Sequence, residues 1–112
     1  MNNLRNNVQL IGYLGKDVEL LEFEKGIKVA RVSMATNEQY TNNQGEKVED
    51  TQWHNLVAFG KSAEWMKQLL AKGVEVLVSG KITYKSYEND KGETKHATEI
   101  VVKDFIKLSK KD

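Results

Sequence analysis

Residues 51–80, TQWHNLVAFGKSAEWMKQLLAKGVEVLVSG, decide the fold class because a strand, a helix and a second strand follow one another directly. In residues 51–59 the side chains alternate with the period of two that is typical of a strand. One face carries Trp53, Asn55, Val57 and Phe59. The other face carries His54, Leu56 and Ala58. This segment is therefore predicted to be a strand with two chemically different faces.

Residues 62–72 have the spacing of an amphipathic helix. Ser62 can accept hydrogen bonds from the free N–H groups at the helix start. Lys72 and Gly73 suit the helix end, where the dipole is negative and a left-handed residue is common. Trp65 is expected to pack against the core. The positions predicted to form the buried stripe are Ala63, Met66, Leu69 and Leu70.

Further strands are predicted on both sides of this unit. Before it we expect strands over about residues 6–14, 18–23 and 27–36, then a polar loop at 41–50. After it, residues 74–79 alternate, and residues 81–87 and 95–102 flank an exposed hairpin tip. The side chains expected to complete the packing are Phe105, Ile106 and Leu108.

This element order fits a small all-β barrel with a single helix. It is the order of the OB-fold, a five-stranded Greek-key barrel with its helix between strands 3 and 4, here with a long hairpin. No linker rich in Pro or Ser divides the chain, and no internal repeat is expected. We therefore predict one domain over residues 1–112.

The residue types that catalysis or metal binding would need do not cluster in the sequence. The two histidines, His54 and His96, are far apart, and the chain has no cysteine and no His-Glu-x-x-His spacing. Gly12 and Gly15 are not followed by the Lys-Ser/Thr pair and helix of a phosphate-binding loop. We predict no enzyme activity, no metal ion and no cofactor.

Aromatic and basic residues share a predicted strand face. In residues 81–87, alternation places Lys81, Thr83, Lys85 and Tyr87 together, with Tyr84 on the other face. Rings that stack on bases, with lysines that contact phosphates, are what an unpaired nucleic-acid strand needs, and each stacked base contributes about 1–3 kcal/mol. The same pattern also fits an oligosaccharide or protein surface, and aromatic residues of small β proteins often lie in the core.

Five segments in order resemble the bacterial single-stranded DNA-binding protein family. They are NVQLIGYLGKD at residues 7–17, ARVSMATN at 30–37, TQWHNLVAFGK at 51–61, Lys72-Gly73 with VLVSGK at 76–81, and TEIVV at 98–102. The resemblance spans about residues 4–108, nearly the whole chain. It implies an OB-fold that assembles, usually as a homotetramer, and that binds single-stranded DNA by aromatic stacking and lysine contacts.

Matched position by position, the resemblance implies roles for individual residues. Trp53 and Phe59 match stacking aromatics of the family, and Tyr40 and Tyr87 stand where its members often have tryptophan. Tyrosine stacks with less area, so we expect affinity or base preference to differ. His54 matches a position associated with subunit contacts. The phosphate-contact candidates are Lys61, Lys72, Lys81 and Lys85.

Composition limits the partners and the location. The net charge of the 112 residues is only +1, so an anionic partner must be held by local arrangement. An apolar run of about eighteen residues and a signal peptide are both lacking, so no membrane partner is expected. The absence of cysteine fits the cytoplasm. The chain ends in KLSKKD rather than the acidic tip typical of the family, so tail-mediated recruitment of replication and repair proteins is not expected.

The sequence thus predicts sequence-independent binding and protection of single-stranded DNA in replication, recombination and repair. A homotetramer is expected, with a dimer as the alternative. The alternative function is an OB-fold protein-assembly module of a replication or restart complex. Such a module would not need Tyr40, Trp53, Phe59 and Tyr87 together.

Overall fold

The computed structural model describes residues 5–108. Along the chain lie β1 (Val8–Leu14), β2 (Glu19–Glu22), a 3₁₀ turn (Glu24–Gly26), β3 (Lys28–Thr41), β4 (Lys47–Phe59), α1 (Lys61–Leu69), β5 (Glu75–Glu88) and β6 (Thr94–Lys107). The last four residues, on which the expectation about tail-mediated recruitment depends, lie outside the described part. No helix within residues 5–108 is long and apolar enough to cross a membrane.

Five of the strands close into a barrel. The sheet order is β1-β5-β6-β4-β3-β2, and β1 also pairs with β3, where Tyr13 and Leu14 lie opposite Ala35 and Met34. β4 and β6 run parallel, while the other pairings are antiparallel. β2 continues the sheet beyond β3, and α1 connects β4 to β5. This architecture confirms the predicted OB-fold with its helix between the third and fourth barrel strands.

Alternation along the strands fills the interior of the barrel. Ala30, Val32 and Met34 of β3 face inward, as their period of two predicted, while Arg31 is exposed. The helix covers this core with Ala63, Met66 and the following Leu70. Other buried core residues are Leu14, Val18, Leu56, Ala58, Val74, Val76, Val78, Ile100 and Val102.

The helix is shorter than the sequence predicted. It ends at Leu69 rather than residue 72, and the backbone at Leu70 is extended. Gly60, with φ 66° and no side chain, stands at the N-terminal cap, so the prediction of a Ser62 cap was wrong. Nine residues present only a narrow buried stripe. Trp65 and Leu69 are therefore 55% and 50% exposed, and the prediction that they pack in the core was also wrong.

Two antiparallel ribbons project beyond the core; the first replaces most of the loop predicted at residues 41–50, and the second is the predicted hairpin. The first arm is residues 36–41 with 47–52, and β3–β4 pairing continues to Thr41 and Lys47. The second arm is residues 84–88 with 94–98, and β5 runs into it through a bulge at Ser79 and Gly80. Polar sequences form strands here because each backbone hydrogen-bonds to its neighbour while both faces remain hydrated.

The end of β6 also departs from the prediction. Phe105 packs against the core as expected. Ile106 and Leu108 are 57% and 45% exposed, so they do not complete the packing. Ile106 pairs with Leu77 on the outer side of the sheet, because one residue of alternation separates it from Phe105.

Gly12 allows β1 to approach β3 closely enough to close the barrel. A Cβ atom at this position would overlap the backbone oxygen of Ala35. We expect Gly12→Ala to lower the free energy of unfolding by about 1–3 kcal/mol, because the added methyl must push two strands apart. Urea unfolding measures the change. Gln9→Ala, on an exposed position of the same strand, is the control and should stay within about 0.5 kcal/mol. Equal stability of the two variants would contradict the tight closure.

Candidate functional site

The outer face of the barrel is formed by side chains of β3, β4, β5 and β6 that point away from the core. The strand register arranges them in two rows. One row contains Arg31, Val57, Val101 and Lys81. The next row contains Ser33, Asn55, Glu99 and Thr83. Four strands therefore present one continuous surface that is mostly polar.

Trp53 and Phe59 lie at the two ends of this face on β4. Trp53 is opposite Ala35 and 62% exposed, and Phe59 is opposite Val29 and 49% exposed. Large rings with about half their surface in water do not serve core packing. Six residue steps along the strand separate them, or about 20 Å at 3.4 Å per step. Both rings are available to a flat ligand.

The ring of Trp53 packs against the connection between β1 and β2. A Cβ atom at Gly15 would lie 2.5 Å from Cζ3 of Trp53 and 3.3 Å from the hydroxyl oxygen of Ser33. Gly15 is therefore needed for the indole to lie where it does. Nothing in the sequence around Gly15 marks it for this role, because residues 15 and 53 are brought together only by the strand pairing.

A cleft of about 420 Å³ opens beside these residues. Ser33, Asn55 and Arg31 line it from the outer face, and Lys16, Asp17 and Glu19 line it from the connection after β1 and the start of β2. Hydroxyl, amide and guanidinium groups can donate hydrogen bonds to a base edge or a phosphate oxygen. The cleft therefore adds a polar region between the two exposed rings of β4.

Glu99 is a carboxylate buried within the outer face, with 7% of the residue exposed. The guanidinium of Arg31 donates a hydrogen bond of 2.7 Å to Oε2, and Nζ of Lys85 lies 3.2 Å from Oε1. Burial is the largest single influence and raises the pKa of Glu99, but the hydrogen bonds and charges of Arg31 and Lys85 together outweigh it. The pKa of Glu99 therefore lies below its ordinary value.

The four candidate lysines occupy different surroundings. Lys81 is exposed on the outer face, and Lys85, on the same side of β5, is paired with Glu99. Lys61 is the exposed first residue of α1, two positions after Phe59. Lys72 lies in the turn after α1, where its backbone N–H donates to Asp17, so the structure does not bring it onto the outer face.

The two candidate tyrosines lie on the arms. Tyr87 is 57% exposed and continues the outer face of β5, opposite Lys95. Tyr40 is 54% exposed, but it lies opposite Val48, on the alternate side of β3 from Arg31. Alternation therefore places Tyr40 on the opposite face of the first arm from Trp53, and only three of the four candidate aromatics share the outer face.

His54 lies on the side of β4 opposite Trp53, as predicted. It is half-buried, and its Nε2 is 2.9 Å from the hydroxyl of Thr36. His96 is exposed on the second arm. Within residues 5–108 no group of three or more His, Cys, Asp or Glu side chains could hold a metal ion.

Residues 5–108 match the family model described as the single-strand binding protein family. The chain belongs to the single-strand binding protein family. Single-stranded DNA-binding protein 1 of Chlorobaculum tepidum is 41% identical over 108 residues, which cover 96% of this chain and 67% of that protein. The family predicted from sequence is thus confirmed. Single-strand binding proteins are not catalytic, so the chain is not an enzyme.

Two solved structures of single-strand binding proteins resemble the fold. The Plasmodium falciparum SSB in complex with ssDNA gives a TM-score of 0.88 at 30% identity, and the match covers 97% of this chain and 100% of that chain. A deletion mutant of the single-stranded DNA binding protein from Thermus aquaticus gives 0.81 at 27% identity, covering 93% of this chain and 50% of that chain. The OB-fold is therefore that of the family.

The buried charge of Glu99 makes stability depend on pH in this single-strand binding protein. Because the pKa in the folded state lies below the ordinary value of 4.5, its contribution is present above about pH 4.5 and lost as pH falls through the folded-state pKa. We expect Glu99→Gln to be less stable than wild type by about 1 kcal/mol at pH 7, and this difference to shrink as the pH falls below about 4.5.

Urea unfolding of both proteins at pH 7, 5 and 3 measures this difference. Glu49→Gln, on an exposed position of β4, is the matched control and should follow wild type throughout. A difference between wild type and Glu99→Gln that stays constant with pH would show that the charge of Glu99 does not stabilise the fold.

Proposed function

We propose that the protein binds single-stranded DNA without regard to base sequence and protects it in replication, recombination and repair. The observation that carries this proposal is the exposure of Trp53 and Phe59 on the outer face, among basic side chains. Every base has a flat face, so stacking on such rings tolerates any sequence. Family membership supports the proposal, and a similar structure is described as an SSB complex with ssDNA.

Stacking supplies most of the proposed affinity. A net charge of +1 gives little long-range attraction, whereas each stacked base contributes about 1–3 kcal/mol. In this proposal Trp53, Phe59 and Tyr87 stack on bases from the outer face, and Tyr40 stacks from the first arm. Asn55 lies between the two rings of β4 and faces the same bound DNA strand.

Phosphate contacts supply the remainder, through Lys61, Lys81 and Lys85, while Lys72 could reach a phosphate only from the turn after α1, away from the outer face. Lys81 and Lys61 are exposed and free of the Glu99 ion pair, so we infer that they contribute more than Lys85. Arg31 joins them, because its guanidinium uses only part of its donors on Glu99. The logarithm of the binding constant should fall with log salt by about 0.7 per phosphate contacted.

We also propose that residues 1–112 form one domain. Four copies of this domain assemble into a homotetramer, which is the functional form. Ile11, Leu77 and Ile106 form an apolar row on the outer side of the sheet. Ile11 and Ile106 are 55% and 57% exposed, and among residues 5–108 the early part of β1 has a strand partner on one edge, β5, and none on the other. Exposed apolar rows and open edges favour pairing with another chain. His54 is a candidate for a further subunit contact.

The exposed aromatics distinguish this proposal from a protein-assembly module. Both functions would use the apolar row, but only DNA binding uses Trp53, Phe59 and Tyr87 on one hydrated face. A cytoplasmic location beside the chromosome is part of the proposal, because the DNA partner is found there.

Tryptophan fluorescence tests DNA binding directly, since the chain has two tryptophans. We expect a long oligo-dT to quench the Trp65→Phe variant saturably at low salt, because Trp53 remains, and to quench the Trp53→Phe variant much less. Trp53→Ala should weaken binding about 5- to 150-fold, which corresponds to one lost stacking contact. Absence of quenching and of a mobility shift at low salt would overturn the proposed function and favour the assembly module.

Light scattering tests the assembly. We expect the wild-type protein to have the mass of a tetramer, and Ile106→Asp and Ile11→Asp to reduce it, because a charge cannot be buried cheaply in an apolar contact. Ile27→Asp is a matched control, since Ile27 is 52% exposed but lies outside the apolar row. A monomeric wild type, or an unchanged mass in all three variants, would contradict this interface. A stable wild-type dimer would favour the assembly module.

A further inference from the structure

The two arms end in the same short sequence, although no internal repeat was expected. Residues 40–46 read YTNNQGE and residues 87–93 read YENDKGE, so Tyr, Asn, Gly and Glu recur at the same spacing. In each arm the tyrosine is one of the proposed stacking residues, and the asparagine follows it by two positions. The two copies are not evident as a repeat, because the sequence predicts a polar loop for the first and a hairpin tip for the second.

In the first arm, Asn42 organises the turn. Its backbone N–H donates to the carbonyl of Glu46 over 2.9 Å, and its Oδ1 accepts hydrogen bonds from the N–H groups of Gln44 and Glu46 over 2.9 and 3.0 Å. The N–H of Gly45 donates to the carbonyl of Asn42 over 3.1 Å. Nδ2 of Asn42 donates to Oε1 of Glu46 over 3.3 Å.

In the second arm, Asn89 makes the same set of bonds. Its N–H donates to the carbonyl of Glu93 over 2.9 Å, and its Oδ1 accepts from the N–H groups of Lys91 and Glu93, both over 2.9 Å. Gly92 N–H donates to the Asn89 carbonyl over 3.0 Å, and Nδ2 donates to Oε1 of Glu93 over 3.1 Å. All five distances agree between the arms within about 0.2 Å.

The repeated sequence explains the repeated geometry. A three-residue hairpin loop combines a tight turn with a left-handed residue, and Gly45 and Gly92 both have φ 78°. The asparagine side chain holds the loop N–H groups that no strand partner reaches. Asn42 and Asn89 are half-buried, whereas the other loop residues are exposed. Each asparagine thereby fixes the register of its arm.

A fixed register fixes the tyrosine. Tyr40 and Tyr87 have nearly equal exposure, 54% and 57%, and each faces a partner strand residue just below the turn, Val48 or Lys95. A slip of one residue would move either ring to the other face of its arm. The stacking position therefore depends on a residue that itself has no aromatic ring.

We propose that Asn42 and Asn89 are positioning residues that hold Tyr40 and Tyr87 in place to stack on bases of single-stranded DNA. This inference rests on the proposed function. It assigns the loops no direct contact with DNA, and their effect passes through the tyrosines. In this view each arm carries one tyrosine whose position is set by the asparagine of its turn, and both arms extend from the starts of the parallel strands β4 and β6.

A double-mutant cycle on the whole chain tests the first arm. Oligo-dT binding is measured for wild type, Asn42→Ala, Tyr40→Ala and the double variant. We expect Asn42→Ala to weaken binding about three- to tenfold, no more than Tyr40→Ala does, and to have no further effect in the Tyr40→Ala background. The matched control is Asn43→Ala, because Asn43 is exposed and its side chain makes no hydrogen bond within residues 5–108. The control should bind like wild type.

Rescue and exchange measurements separate positioning from loss of folding. Asn42→Asp keeps the accepting oxygen, so it should retain most of the DNA binding. The amide of Glu46 should still exchange its hydrogen slowly in Asn42→Asp, whereas it should exchange faster in Asn42→Ala. Asn89→Ala, with Asp90→Asn as its control and Tyr87→Ala for the cycle, repeats the test on the second arm.

Three results would decide against the inference or its basis. Equal weakening by Asn42→Ala with and without Tyr40 would mean that the loop acts on DNA independently of the ring, which overturns the inference. Wild-type binding by Asn42→Ala would overturn it as well. Failure of the wild-type protein to bind oligo-dT would instead overturn the proposed function.

Discussion

The pairing of β1 with two neighbours is the constraint on which the rest of the structure depends. β1 bonds to β5 along most of its length and to β3 at Tyr13 and Leu14, and this closes the sheet. Closure removes most open edges and fixes the curvature that brings β3, β4, β6 and β5 into one outer face. Gly12 permits the close approach, and Gly15, three residues later, makes room for the ring of Trp53. One strand end therefore links barrel closure to the placement of a candidate DNA contact.

Electrostatics shape the outer face in an unexpected way for a DNA-binding surface. The most buried ionisable side chain of this face is the carboxylate of Glu99, and its negative charge offsets part of the positive charge of Arg31 and Lys85. This carboxylate joins β6 to β3 and β5 by charge, so it strengthens the face while lowering its attraction for phosphate. We therefore expect stacking to contribute more than charge to the DNA affinity of this surface, which agrees with the net charge of only +1.

Alternation made much of the fold predictable from the sequence. The inward side of β3 and the two faces of β4 follow directly from the period of two, and so does the placement of Trp53 and Phe59 on one face. Their exposure does not follow from that period, because alternation alone does not say which face is buried. The helix was less predictable, because Trp65 and Leu69 match an apolar spacing that nine residues over a small barrel cannot bury. Ile106 stood beside Phe105 in sequence, and only the strand register separated the buried ring from the exposed side chain.

The candidate site was predictable only in part, since contacts between distant residues depend on register. Arg31 and Glu99 are separated by 68 positions, and nothing in their local sequence marks them as partners. That Tyr40 lies on the opposite face from Trp53 follows from the alternation of side chains along β3. This alternation applies only if β3 continues unbroken to Thr41, which the sequence did not predict. Because Trp53 and Tyr40 lie on opposite faces, one DNA strand that contacts both rings would have to pass around the edge of the first arm. The DNA would then wrap around this arm instead of lying along one of its faces.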